Sequence, residues 1–246
     1  MEASVIHHRV DLVLRLLDTT TGYEVSERDV HFYEDEKEVF PIARGSGNYV
    51  FINAGRSDRS VRVKVFGYET AMARICYEDM DHGLPMKEVF LIPSENTAGG
   101  RPLLSFSGRL PGITAIEAVS LKESGLFIKE FDEKRCIMKF FRTQGINLGN
   151  LYYGVIHRQR QTYEGFEVTE EMPDSSVRIR KPLKEEFSVN SPVNRIIFGM
   201  VTEEGDYCLR VRDDSDELTF LVRYVVENEV RYKAVDFHNT EEDCLK

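Results

Sequence analysis

The chain has 246 residues, 41% of them hydrophobic and 30% charged, with four cysteines and no tryptophan. That profile excludes a disordered chain and a small disulfide-framed one, and the length implies one large or two ordinary domains. Thirty-two basic against 42 acidic residues give a net charge of −10, which argues against nucleic-acid binding, since such binders carry a basic footprint.

The opening stretch, MEASVIHHRVDLVLRLLD, begins acidic and scatters charges through its apolar part. A signal peptide needs a basic start and an unbroken apolar segment, and no run approaches the roughly 20 apolar residues of a spanning helix. Cys76, Cys136, Cys208 and Cys244 are widely spaced and form no CxxC, so they read as isolated thiols of a reducing compartment. The expectation is a cytoplasmic protein without a membrane partner.

Taken in order, the elements are strands. Residues 10–18 place Val10, Leu12, Leu14 and Leu16 on one face by alternation. Residues 30–35 and 48–53 are rich in β-branched and aromatic side chains, and 60–68 alternates Val61, Val63 and Val65 with Arg62 and Lys64. Residues 71–86 read as extended structure followed by a loop, and 87–93 closes the set. The stretch PSENTAGGRP, 93–102, combines prolines, a Gly-Gly pair and small polar residues, as a linker does. This gives a first domain over 1–92, a linker over 93–102 and a second domain over 103–246.

The second domain reads as strands over 103–108, 114–121, 126–132, 135–141, 151–157, 163–168 and 176–182. Four more follow, over 194–201, 207–213, 218–226 and 230–237, joined by short polar turns such as DDSDE (213–217) and predicted to form a meander of hairpins. The fold class is therefore all-β: a small β-sandwich of transthyretin or immunoglobulin type, then an antiparallel sandwich or barrel.

Local chemical signatures are absent from the sequence. In GSGNYVFINAG, 45–55, the glycines precede a strand, whereas a phosphate loop needs a strand before and a helix after; they read as turn glycines. None of the six histidines (His7, His8, His31, His82, His157, His238) falls in HExxH or HxH, and Asp214 and Asp216 lack the glycine and glutamate of a calcium loop. No G-x-S-x-G elbow occurs. No catalytic residue, metal or cofactor is expected, and a small-molecule ligand is not expected either.

Two basic clusters stand out against the acidic total: HRQRQ (157–161) and RIRK (178–181). Alternation would put Arg158 with Arg160, and Arg178 with Arg180 beside Lys181, on strand faces. On neighbouring strands they would form a positive stripe for an acidic partner. The alternative is a set of solvated faces that protect sheet edges.

In the first domain, Leu16-Leu17-Asp18 leads into Thr21-Gly22, the next strand runs from Val25 to Phe32, Gly47, Tyr49 and Phe51 enter a third, and Gly67-Tyr68-Glu69 closes a fourth. This pattern resembles the transthyretin-like β-sandwiches called carboxypeptidase regulatory-like domains, relatives of the Cna-B repeats. The resemblance covers about 90 residues and implies a non-catalytic stalk or interaction module. Phe66 stands where that family usually has proline. The whole arrangement resembles accessory proteins of phage-tail-like contractile particles, which combine small β-sandwiches and barrels. The reading that follows is a structural or adaptor protein whose partners are other subunits of an assembly. Alternatives are a carbohydrate-binding or adhesion module and an enzyme with a dispersed site on the second domain.

Overall fold

A computed structural model describes residues 9–26, 29–80, 83–94, 103–122, 124–142, 148, 152–174, 176–212, 218–238 and 245. His7, His8, His82, Cys244, the turn 213–217 and most of the expected linker lie outside the described residues. The protein is all-β, and the helical turns among the described residues are two short 3-10 segments, Tyr77–Asp79 and Glu133–Arg135. Among the described residues no helix is long and apolar enough to cross a membrane. Two compact units make up the chain: Met1–Thr19 with Tyr23–Gly100, and Thr20–Gly22 with Arg101–Lys246.

Unit 1 holds β1 (Val10–Asp18), β2 (Val30–Glu34), β3 (Lys37–Val39), β4 (Ile42–Ala43), β5 (Asn48–Ile52), β6 (Arg59–Val65), β7 (Ala71–Ile75) and β8 (Met86–Leu91). They form two four-stranded sheets, ordered β4-β5-β1-β8 and β3-β2-β6-β7. Alternation turns Leu12, Leu14 and Leu16 of one sheet towards Val61, Val63 and Val65 of the other, in one shared core. Phe32 joins the two layers, with its ring 4.9 Å from Tyr49 and 5.8 Å from Phe51. The glycines before β5 are turn glycines as expected: Gly45 and Gly47 have φ of 71° and 65°.

Strand β1 pairs antiparallel with β5 and parallel with β8, and it is buried on both faces beyond Val10. Its inward row carries the leucines. Its other row includes Arg15, held between Glu24 at 3.2 Å and Glu88 at 3.3 Å. Near the start of β1 the fully buried Asp11 accepts from Arg9 Nε at 2.6 Å and from the Gly55 amide at 3.0 Å. Burial works to raise this carboxyl, but those two donors, the charge of Arg9 and the Ala54 amide together hold the group below the usual aspartate range.

Unit 2 holds β9 (Leu103–Arg109), β10 (Ile113–Ser120), β11 (Leu126–Asp132), β12 (Ile137–Arg142), β13 (Tyr152–His157), β14 (Thr162–Glu171) and β15 (Val177–Ile179). It continues with β16 (Val193–Phe198), β17 (Met200–Val201), β18 (Asp206–Arg212), β19 (Thr219–Val226) and β20 (Glu229–Asp236). A nine-stranded sheet runs β11-β12-β15-β14-β13-β16-β10-β19-β20, and a small sheet runs β17-β18-β9. Strand β11 reaches the chain just before β16 through the Phe127–Pro192 bridge and the bond from Ile128 N to Ser191 O, 2.9 Å. Half of the large sheet thereby curls on itself around a core that includes Met138, Val155, Phe166 and Val168. The small sheet packs Phe106, Tyr207 and Leu209 against β10 and β19.

The predicted four-strand meander forms only in part: β17 pairs with β18 and β19 with β20, but the strands do not make one continuous run. Strand β16 pairs with β10 and β13, while β18 leaves for the small sheet and pairs with β9. The chain changes sheets at Gly199. A Cβ there would stand 2.6 Å from Ile116 Cγ2 and 2.8 Å from the Cys208 carbonyl oxygen, so only glycine lets the backbone pass so close.

Candidate functional site

On the face of the large sheet opposite the small sheet, antiparallel register aligns four side chains on adjacent strands. Glu117 of β10 faces Phe198 of β16 on one side and Arg223 of β19 on the other, and Arg223 faces Tyr232 of β20. Partners in register project to the same face, so the row reads aromatic, carboxylate, guanidinium, aromatic. Beside it Tyr152 meets Phe198 edge-on, ring centroids 5.3 Å apart.

Tyr163 of β14 completes the cluster. Its ring lies over Gly154 of β13, where a Cβ would stand 2.8 Å from the ring. Its hydroxyl donates to Glu117 Oε1 at 3.2 Å, and Arg223 Nη1 donates to the same oxygen at 3.1 Å. Tyr232 donates to the Tyr163 carbonyl at 2.8 Å, although β20 and β14 are five strands apart in the sheet order. That bond draws the sheet into a trough around a cleft of about 700 Å³.

Burial dominates the electrostatics. It lifts the Glu117 carboxyl above the ordinary glutamate range even though Arg223 and Tyr163 pull it down. It also lifts the Tyr163 hydroxyl well above its usual value, helped by the charge of Glu117, and raises Tyr232. Both tyrosines therefore stay protonated donors, while Glu117 holds the acceptor role.

The far wall is the segment after β15. Glu164 accepts from the Lys184 and Glu185 amides at 2.7 and 2.9 Å, which pins this segment to β14. His157 Nε2 stands 2.8 Å from Glu185, and the His157 ring stacks on Phe187 at 4.2 Å.

The expected arginine stripe does not form. Arg158 and Arg160 lie in the hairpin turn between β13 and β14, not on a strand, so alternation does not apply to them. They stand at the Thr162 end of β14, whereas Arg178 pairs in register with Glu170 near its other end. Carboxylates match Arg160, Arg178 and Arg180. Arg160 Nη1 is 3.1 Å from Glu185, Arg178 Nε is 3.1 Å from Glu170, and Arg180 makes a two-point contact with Glu167. Arg158 lines a separate hollow of about 250 Å³, and Lys181 lines the main cleft.

Sequence reading missed Glu117, Tyr163, Arg223 and Tyr232. A signal was present: Glu117 is the single charge in TAIEAVSL and Arg223 the single charge in LTFLVRYVV. Two apolar strands with one opposite charge each are candidates for a buried pair.

Unit 1 presents a different surface on the outer face of β3-β2-β6-β7. Tyr33, in register with Arg62, lies beneath two cations, Arg62 at 5.1 Å and Lys64 at 5.3 Å. Phe40 follows β3 and Phe66 follows β6. Both strands run antiparallel to β2, so the two phenylalanines emerge at the same end of this sheet, 84% and 81% exposed.

No protein-family model, no curated protein and no solved structure matches the chain.

Proposed function

We propose that the protein is a non-catalytic structural or adaptor subunit of a multi-protein assembly. Its resemblance to accessory proteins of phage-tail-like contractile particles names the kind of assembly. The observation that carries this reading is the pair Phe40 and Phe66, more than four-fifths exposed at one end of one sheet. Full burial of a phenylalanine side chain is worth about 1.5–3 kcal/mol, and aromatic anchors supply much of the energy of protein interfaces. Single exposed apolar residues are ordinary; two phenylalanines at one sheet end suit the apolar anchors of a docking surface.

The test is co-purification from the native host. The wild-type chain is expected to bring down defined subunits, and the double substitution Phe40→Ser with Phe66→Ser to lose them at unchanged melting temperature. A wild-type chain that stays monomeric at high concentration and retains no partner would overturn the proposal.

A further inference from the structure

The cleft of unit 2 has a chemistry that the docking surface of unit 1 does not use. We propose that it binds a neutral saccharide, with Phe198 and Tyr232 as stacking surfaces and Glu117 with Arg223 as the hydrogen-bonding centre between them.

Size and placement come first. At about 700 Å³ the cleft falls within the range of small-ligand sites. Phe198 and Tyr232 stand on β16 and β20, with β10 and β19 between them in the sheet, and both line the cleft. Both rings are half-buried, so each keeps surface for a ligand.

Charge selects the ligand class. The lining carries four carboxylates and four cations, and Glu117–Arg223 and Glu167–Arg180 already pair within it. No net field favours a polyanion or a polycation. A purely apolar ligand would strand the charged lining away from water. A sugar ring offers what remains: C–H faces for the aromatics and hydroxyls that both donate and accept. Glu117 Oε1 takes both of the bonds from Tyr163 and Arg223, and its Oε2 accepts none from a described residue, so a lone-pair acceptor is left in the cleft. Tyr163 and Arg223 fix that carboxylate in place before any ligand arrives, which lowers the ordering cost of binding.

The experiment is a glycan array of neutral, N-acetylated, sialylated and sulfated oligosaccharides, followed by calorimetry of the hits. A neutral hit is expected whose affinity drops by roughly tenfold or more in Tyr232→Ala and in Glu117→Gln, and is unchanged in the Phe40→Ser, Phe66→Ser variant. That last arm separates this inference from the docking proposal. Hydrogen exchange on the wild-type chain with the hit bound needs no variant, and protection is expected over β19 and β20. An empty array, a preference for sulfated or sialylated glycans, affinity that survives both cleft substitutions, or protection confined elsewhere would each overturn it.

Discussion

Gly45 and Gly47 stand two residues apart and carry different constraints. Both have positive φ, but a Cβ on Gly45 meets nothing within 4 Å, whereas on Gly47 it would stand 2.7 Å from the Leu16 carbonyl oxygen. Backbone cannot give way as a flexible side chain can. Gly47→Ala is therefore expected to destabilise unit 1 by more than about 1 kcal/mol and Gly45→Ala by less, read from urea midpoints at constant slope. Gly154 poses a packing constraint instead, since a methyl there would meet the Tyr163 ring and Val119 Cγ1, each at 2.8 Å. Gly154→Ala should cost about 1–3 kcal/mol. It should also shift the Tyr163 ring signals in an NMR spectrum, because the ring that reaches Glu117 has to move.

At the scale of elements, two hairpins run through two-residue loops whose central residues both have positive φ: Asp35-Glu36 between β2 and β3, and Glu227-Asn228 between β19 and β20. Such loops favour Asn-Gly, because left-handed backbone is strained for a residue such as glutamate. Replacing Glu227-Asn228 by Asn-Gly is expected to raise stability by about 1 kcal/mol, measured by thermal melts of single and double variants. The strands around these loops were legible in the sequence. Residues 10–18 alternate and coincide with β1, and the Val61, Val63, Val65 row faces the core. Strands β3 and β4, three and two residues long, are too short to show a period. The order of strands was less legible. A sheet change at Gly199 depends on which neighbours crowd it, and Ile116 is distant in sequence. The same holds for the cleft, whose Glu117 and Arg223 are 106 residues apart. The arginines of 157–161 and 178–181 were visible as charge, but not the glutamates that neutralise them.

For the whole molecule, two buried carboxyls, Asp11 and Glu117, respond to pH with opposite sign. Asp11 in unit 1 has a folded pKa below the ordinary 3.8. Its contribution is present above that value and is lost as pH falls through the folded pKa. Glu117 in unit 2 has a folded pKa above the ordinary 4.5, so the folded state holds its proton longer than the unfolded state. That contribution is full below 4.5 and is lost as pH rises through the folded value. Asp11→Asn is expected to flatten the acid limb of a stability–pH curve for unit 1, and Glu117→Gln the falling limb above it for unit 2. Calorimetric scans across acidic to neutral pH read both, and a variant that leaves its own limb unchanged would refute the assignment of that group.

The parallel pairing of β1 with β8 sets a condition on biosynthesis. Arg15 finds Glu88 only across 73 residues, so during translation the row from Leu12 to Leu17 has left the ribosome long before the strand that flanks it. A chain dominated by such distant pairings folds slowly, and an apolar strand waiting for its neighbour is open to wrong pairing. Yield in a heterologous host should therefore respond more to chaperone supply and growth temperature than to codon choice in the second unit.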